Sequence, residues 1–407
     1  VLGRGNTLPA LLGQAGYQTL AVGKMHFIPE RARHGFDETI LPADYYRWLD
    51  RSGFPCKPMR HGLGQNELYP GMATVPESLT LTNWIADQCV EFIRERRDPT
   101  RPFFLWCSFS KPHPPLDPPE PYYSMYRGCD IPEPRLAEWS EDDKCPLPPK
   151  VARQAASADL IRPEIIREAR AAYYGLITQI DYNLGRVFAA LQDMNLFDDA
   201  LILYTSDHGE MLGDHRMAGK CFAYEGSAHV PFCLRLPQKW SNRRAGTAVR
   251  SPVTHADILP TLVGAAGGRI PDDIDGIDLI ALARGNAEPR QSLEMQCKNF
   301  APGTGCNTAL TDGRWKYIWY PEGEREQLFD LESDPGELED LAPKPAFAGR
   351  LAEMRAELVP RHRRRGSPFV AEDKWVGLKP PPEPPDGWRN SAWPGYHTEF
   401  YVHDVRH

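Results

Sequence analysis

A chain of 407 residues can bury a large hydrophobic core, and its length favours one large domain with a smaller companion. Its 41% hydrophobic and 25% charged residues are ordinary for a globular protein, which excludes disorder throughout. The net charge of -8 argues against a nucleic-acid-binding surface, and no apolar run reaches the roughly 18 residues that a membrane helix needs.

The first half of the chain alternates between helical and strand patterns. Residues 7–16 predict a short helix, and the apolar run "TLAVGK" after it predicts a strand. Residues 78–97 carry apolar side chains at helical spacing, and "PFFLWCSFS" after them predicts a strand buried on both faces. The proline-rich stretch 112–150 lacks periodicity and predicts a long excursion over a functional site.

The same alternation continues in the middle of the chain. Residues 163–194 give the strongest helical pattern and begin with a proline. In "ALILYTSDHG", residues 200–209, the polar side chains begin where the apolar strand ends. Strands alternating with helices predict an α/β fold with a large, mixed, mostly parallel sheet covered by helices on both faces. Ligands of such folds bind at the carboxyl ends of the strands.

The C-terminal part has a different pattern. "TALTDGRWKYIWY" predicts a hairpin that turns at Asp312 and Gly313, and "EQLFDLESDPGELEDLA" predicts a further strand followed by a helix start. We therefore expect three units: a catalytic domain over 1–285, a small subdomain with an antiparallel sheet and a helix over 286–365, and a proline-rich extended tail over 366–407.

Polar clusters follow three of the predicted strands. They are "GKMH" after "TLAV", "KPH" after "FFLWCSFS", and "SDHG" after "ALILY". Each cluster alone has an ordinary explanation, since Asp207 could cap a helix and Lys24 could be a solvated surface lysine. Together with Lys220, they favour a pocket in which lysines and imidazoles bind a tetrahedral oxyanion beside a cation.

The motifs resemble the sulfatase family of the alkaline-phosphatase superfamily. Eight segments follow the order and spacing of that family and cover most of the chain from Leu8 to Leu341: "AGYQTLAVGKMHF", "RHGFDE", "LYTSDHGEMLGDHRMAGK", "HVPFCLRLP", "THADILPTL", "GIDL", "TDGRWKYIWY" and "LFDLESDPGELEDLA". The pattern GYxTxxxGKxH with a later SDHGExLGDHxxxGK is highly specific. The resemblance implies a large helix-covered sheet with a smaller C-terminal α+β subdomain.

The resemblance also implies a metal site. Asp207 and His208 match ligands of a divalent cation, for which we expect calcium, with manganese or zinc as alternatives. A carboxylate oxygen and an imidazole nitrogen are both suitable metal ligands.

Four further residues match the family's substrate-binding and catalytic positions. Lys24 and Lys220 would contact the sulfate oxygens, and His26 would help to place the nucleophile and the substrate. His113 would bind substrate as the general acid that faces the leaving oxygen. An imidazole can donate a proton near neutral pH, and ammonium groups stabilise charge on sulfuryl oxygens.

Two family features are absent from the N-terminal part of this sequence. Family members begin with a strand that ends in two adjacent aspartates, followed by C-x-P-x-R, whose cysteine becomes the formylglycine nucleophile. The residues before "GYQTLAVGKMHF" contain neither feature, and "CKPMR" at Cys56 to Arg60 lies downstream of Lys24, where the family does not have it. We therefore expect the chain as given to lack the N-terminal strand and the nucleophile, and to be inactive or impaired.

The favoured function is hydrolysis of small-molecule or saccharide sulfate esters. One alternative is a phosphodiester or phosphonate monoester hydrolase of the same superfamily, and another is a non-catalytic homologue that binds anionic ligands. We expect no nucleic-acid or membrane partner, whereas homo-oligomer formation and the compartment, bacterial-type cytoplasm or periplasm, stay open. The nine cysteines lack paired CxxC spacing and predict free, mostly buried thiols.

Overall fold

The structure is mixed α/β. The computed structural model describes residues 6–55, 57–64, 66–141, 143–146, 161–240, 246, 248–298 and 306–378. The strands are β1 (Gln18–Gly23), β2 (Glu38–Ile40), β3 (Phe103–Ser108), β4 (Ile202–Thr205), β5 (Phe232–Arg235), β6 (Leu293–Lys298), β7 (Cys306–Thr311), β8 (Trp315–Tyr320), β9 (Arg325–Asp330), β10 (Val370–Ala371) and β11 (Lys374–Trp375). The α-helices are α1 (Leu8–Gln14), α2 (Pro42–Arg51), α3 (Leu81–Glu91), α4 (Tyr122–Met125), α5 (Pro163–Asp193), α6 (Glu225–Ala228), α7 (Ile258–Ala265), α8 (Leu279–Arg284) and α9 (Ala348–Arg364).

A parallel sheet forms the core of the N-terminal part. Strand β1 lies between β2 and β3 and is parallel to both, while β4 pairs antiparallel with β5. Leu20 and Val22 of β1 pack with Ile85 of α3 and with Val187 and Leu191 of α5 in one buried cluster. The expected α/β class is therefore confirmed, and α5 matches the helix predicted over 163–194.

Strand β3 is less buried than its sequence predicts. Its apolar run led us to expect burial on both faces, but its side chains are only partly buried and Trp106 is 38% exposed. The reason is that β3 pairs with β1 along one edge, whereas no strand within the described residues pairs with its other edge.

An antiparallel meander of β6, β7, β8 and β9 forms the second layer. The predicted hairpin is confirmed: β7 and β8 join at Asp312–Gly313, and Gly313 adopts the left-handed φ of +95° that this turn requires. Helix α9 packs on the meander through Leu351 and Leu358, which join a buried cluster with Tyr317.

Two general expectations can be compared with the described part of the chain. No helix there is both long enough and apolar enough to cross a membrane. None of the eight described cysteines is in a disulfide, but only Cys89 and Cys145 are buried, so the expectation of mostly buried thiols was wrong. The three units proposed from sequence stay a prediction.

Candidate active site

Three polar loops meet beyond the carboxyl ends of β1, β3 and β4. Lys24 directly follows β1, and its backbone N–H donates to the Ser108 carbonyl at the end of β3, with 2.9 Å between N and O. Gly23 makes this approach feasible, because a Cβ at that position would lie 1.9 Å from the same Ser108 oxygen. The loop after β3 therefore starts beside Lys24.

Lys24 and Asp207 form the first contact of the site. The Lys24 Nζ donates to Asp207 Oδ2 at 2.7 Å, although 183 residues separate the two in sequence. Burial raises the pKa of Asp207, but the hydrogen bond and positive charge of Lys24 outweigh it and hold that pKa below its ordinary value. The carboxylate is thus ionised at neutral pH.

Lys220 is held between two partners. Its Nζ lies 2.7 Å from Asn66 Oδ1 and 2.8 Å from His113 Nε2. His113 Nδ1 lies 2.7 Å from the Pro114 carbonyl, so Nδ1 carries the proton and Nε2 accepts from Lys220. Burial, followed by the charge of Lys220, lowers the pKa of His113 to about 3. His113 is therefore a neutral imidazole.

His208 completes the cluster. Its ring lies edge-on to that of His113, with 5.6 Å between centroids, and its Nδ1 is 2.8 Å from the Gly209 carbonyl. Donation to that carbonyl leaves a lone pair on Nε2, which lies 3.6 Å from Asp207 Oδ2. Burial lowers the pKa of His208. Two ligand atoms of the kind that metals bind therefore lie side by side.

A closed loop carries Lys220 back to the end of β4. Two backbone hydrogen bonds, Met211 N to Gly219 O at 2.9 Å and Gly213 N to Met217 O at 2.8 Å, join the two sides of the loop. Inside it, the half-buried Glu210 carboxylate accepts from the Gly219 N–H, and desolvation raises the pKa of Glu210. This loop explains why residues 13 positions apart, from Asp207 to Lys220, meet in one cluster.

The structure brings together five of the six predicted site residues. Contacts connect Lys24 with Asp207, His208 with Asp207 and His113, and His113 with Lys220. His26 is exposed two residues beyond Lys24.

The donor atoms of the site match part of the predicted metal site. Asp207 and His208 supply one carboxylate oxygen and one imidazole nitrogen, which fit part of a divalent-cation shell. No group of three or more His, Cys, Asp or Glu side chains arranged for a metal ion lies within the described ranges. Cys56, which begins "CKPMR", lies outside the described residues.

Sequence reasoning missed residues that position the cluster. Asn66 lies in a loop without a recognisable pattern, so no signal pointed to its contact with Lys220. His255 lies in "THADILPTL", a segment that resembled the family without suggesting a role. Its Nε2 is 2.8 Å from the Ser206 carbonyl, and it thereby supports the residue before Asp207.

A buried ion pair supports the loop that carries His113. Lys111 Nζ donates to Asp117 Oδ1 and, at 2.6 Å, to the Pro115 carbonyl, while His61 Nε2 lies 3.0 Å from Asp117 Oδ2. Burial raises the pKa of Asp117, but Lys111 and His61 together outweigh it and lower that pKa. The contacts of Lys111 with Pro115 and Asp117 therefore connect the loop segments before and after His113.

Comparisons with known proteins match most of the chain. The sulfatase family model matches residues 4–268, and that of the N-sulphoglucosamine sulphohydrolase C-terminal region matches residues 213–364. An arylsulfatase of Clostridium perfringens is 32% identical in an alignment of 376 positions that covers 87% of this chain and 77% of that protein. A choline-sulfatase of Rhizobium meliloti is 30% identical over 82% of this chain and 66% of its own length. The solved phosphonate monoester hydrolase of Agrobacterium radiobacter is 26% identical with a TM-score of 0.71, covering 92% of this chain and 84% of that one.

Proposed function

The chain belongs to the sulfatase family of sulfuric ester hydrolases, and we propose that it hydrolyses sulfate esters in a metal-dependent reaction at the cluster around Lys24 and Lys220. One observation carries the proposal: three chain segments bring two ammonium groups, a carboxylate and two imidazoles into one cluster. A sulfate ester carries negative charge that shifts toward the leaving oxygen during cleavage, and preorganised cations stabilise such charge.

The two lysines are proposed to bind the sulfuryl oxygens. Each ammonium has three N–H donors, and Lys24 uses one on Asp207 while Lys220 uses two on Asn66 and His113. With respect to the described residues, both groups therefore keep at least one donor for substrate without losing the contacts that position them. His26, two residues beyond Lys24, is proposed to help place the substrate.

His113 is proposed to deliver a proton to the leaving oxygen. In the described arrangement, its Nε2 accepts a hydrogen bond from Lys220, so the nearest acidic proton belongs to the lysine. We therefore propose that the Lys220 ammonium transfers a proton to His113 Nε2, and that the imidazolium so formed donates this proton to the leaving oxygen. This assignment agrees with the lowered pKa of both side chains, which burial causes.

Asp207 and His208 are proposed to hold the divalent cation. A cation bound there would add positive charge beside the sulfuryl oxygens. The family resemblance implies calcium, which takes oxygen ligands, whereas the imidazole nitrogen of His208 is a better ligand for manganese or zinc. Chelation followed by addition of each of the three metals separates these alternatives, because only the correct ion should restore activity.

The proposed substrates are small-molecule or saccharide sulfate esters. The two curated relatives carry names that refer to aryl and choline sulfates, which share the sulfate group but not the alcohol. The cluster around Lys24 and Lys220 is proposed to recognise the sulfate group that these esters share.

Phosphonate monoester hydrolysis is the second candidate. It is favoured by the similarity to the Agrobacterium radiobacter enzyme and by the imidazole ligand next to Asp207. A phosphonate monoester also presents a tetrahedral, negatively charged centre to the two lysines.

Hydrolysis of an aryl sulfate and of an aryl phosphonate monoester by the whole protein tests the proposal. Since the nucleophile motif was not recognised in this sequence, we expect slow hydrolysis that is faster for the sulfate than for the phosphonate, and a further loss of roughly a hundredfold or more in Asp207→Asn. Asp193→Asn is the matched control, since Asp193 forms an exposed ion pair with Arg94. Faster hydrolysis of the phosphonate would favour the second candidate. If neither ester is cleaved and no divalent cation binds, the protein is a non-catalytic homologue.

A further inference from the structure

Two thiols lie near each other directly beside the proposed site. Cys221 follows Lys220 in the chain, Cys297 lies on β6, and the Asn307 side chain links the register position of Cys297 to the Cys221 carbonyl. Both side chains are partly exposed, so small molecules can reach them. Neither thiol has a role in the ester hydrolysis proposed above.

The backbone holds the two cysteines together. Asn307 is the register partner of Cys297 across the β6–β7 ladder, and its Nδ2 donates to the Cys221 carbonyl at 2.9 Å. Cys221 has a φ of +79°, a left-handed conformation that a residue with a Cβ seldom adopts. The segment after Lys220 is thus fixed against the sheet at the position next to Cys297.

The surroundings favour a thiolate on Cys221. The hydrogen bond from Cys297 lowers the pKa of Cys221 to about 7 against the effect of burial, and the charge of Lys220 acts in the same direction. The same contact and burial raise the pKa of Cys297, which therefore keeps its proton. A nucleophilic sulfur with a second thiol beside it is the arrangement that thiol–disulfide exchange requires.

We propose that Cys221 and Cys297 form a redox-reactive pair that reacts with low-molecular-weight disulfides. The Cys221 thiolate attacks one sulfur of the small disulfide, which forms a mixed disulfide and expels one thiolate. The Cys297 thiol loses its proton to solvent and attacks the Cys221 sulfur, which expels the second thiolate. Two protein thiols are oxidised to one disulfide, and the small disulfide is reduced to two thiols. This pairing does not depend on the ester-hydrolase function.

The third thiol of this region provides an internal comparison. Cys306 starts β7 and pairs in register with Lys298, one position from Cys297. The charge of Cys306 contributes to the raised pKa of Cys297. Successive register positions face opposite sides of the ladder, so a link between Cys297 and Cys306 would require the strands to rearrange, whereas a link between Cys297 and Cys221 would not.

Peptide mapping after oxidation tests the pair. The whole protein is treated with oxidised glutathione at pH 7, its remaining thiols are alkylated, and its peptides are identified by mass. We expect a peptide linked through Cys221 and Cys297 in the wild type and in the matched control Cys306→Ser. In Cys297→Ser we expect Cys221 to stop at the mixed disulfide with glutathione.

Reaction rates provide the second measurement. At pH 7, we expect Cys221 to react roughly threefold more slowly in Cys297→Ala than in the wild type. Removing the donor lowers the thiolate fraction of Cys221, and the higher nucleophilicity of the more basic thiolate offsets only part of that loss. Exposed Cys129 and Cys233 serve as references in the same digest. A link between Cys297 and Cys306, or oxidation confined to Cys129 and Cys233, would overturn the proposal. Thermal unfolding confirms that each variant is folded.

Discussion

At the scale of single residues, Asn66 positions the Lys220 ammonium. Lys220 Nζ has two acceptors in the described part of the chain, Asn66 Oδ1 and His113 Nε2, and only the second belongs to the predicted site. A hydrogen bond to a charged group contributes about 1.5–3 kcal/mol when its partner is removed. Asn66 should therefore matter for the direction in which the ammonium points, although it carries no charge itself.

We expect Asn66→Ala to lower kcat/KM for an aryl sulfate by roughly tenfold, because Lys220 gains freedom to leave its position. Steady-state kinetics of the whole protein measure this loss. Asn286→Ala, at an exposed position, is the matched control and should keep the wild-type rate. An unchanged kcat/KM in Asn66→Ala would show that His113 alone holds the lysine.

The Glu225 carboxylate is the second residue with a measurable role. Lys316 Nζ lies 2.6 Å from Glu225 Oε1 and 2.8 Å from Glu337 Oε1, and His229 Nδ1 lies 2.6 Å from Glu225 Oε2. Burial raises the pKa of Glu225, but His229 and Lys316 outweigh it and lower that pKa to about 2. The folded protein therefore stabilises the ionised carboxylate of Glu225 more than the unfolded chain does.

This lowered pKa gives a prediction with a definite sign. Ionised Glu225 stabilises the fold above its ordinary pKa of 4.5, and the contribution is lost as the pH falls through about 2. Glu225→Gln should lower the free energy of unfolding at pH 7 by about 3 kcal/mol, and the difference should shrink toward pH 2. Urea unfolding at several pH values measures it, with the exposed Glu332→Gln as control. A difference that is independent of pH would indicate lost packing instead.

At the scale of elements, the loop after β3 depends on a buried charge network. Asp117 accepts from Lys111 and His61 on the two sides of its carboxylate, and both contacts are nearly buried. Breaking a buried ion pair costs about 3–5 kcal/mol because the remaining charge stays without a partner. The network thus fixes the loop conformation that points His113 toward Lys220.

Asp117→Asn should displace this loop and reduce kcat by about tenfold with a smaller change in KM, since the lysines that bind the sulfate stay in place. Kinetics on an aryl sulfate separate the two constants, and urea unfolding measures the accompanying loss of stability. Asp87→Asn removes an exposed ion pair with Arg186 and is the matched control. Equal changes in kcat and KM in both variants would contradict a positioning role.

The same elements show what sequence can and cannot predict. Lys24, Asp207 and His208 directly follow strands that the apolar runs of the sequence predict, and ligands of α/β folds bind where such strands end, so their meeting was predictable. The partial exposure of β3 was not predictable, because an apolar run reports hydrophobicity and not which neighbours cover it. Asn66 was equally hidden, because its loop conformation depends on contacts between distant segments.

At the scale of the whole molecule, the meander and the site share one hydrophobic core. Trp139 and Tyr224 pack with Ile318, Tyr320 and Phe329 in a single buried cluster. The Tyr320 hydroxyl donates to the Tyr224 hydroxyl at 2.7 Å. The composition change after 285 suggested a separate unit, but composition does not report on packing across a boundary. We propose that the predicted unit over 286–365 packs against the loop that carries Lys220 and does not fold independently.

A shared core predicts cooperative unfolding. Calorimetry of the whole protein should show a single unfolding transition. Unfolding the meander would also expose Trp139 and Tyr224, which lie outside the meander and pack against it. Phe329→Ala removes a fully buried ring from the junction and should cost about 3–5 kcal/mol. For a chain of this length, that loss corresponds to a fall of about 5 °C in the Tm of the whole transition. Leu338→Ala, at a position 46% exposed, is the control and should leave the Tm unchanged. Two separate transitions, of which Phe329→Ala moves only one, would mean that the layers fold independently and that the meander does not stabilise the segment holding Lys220.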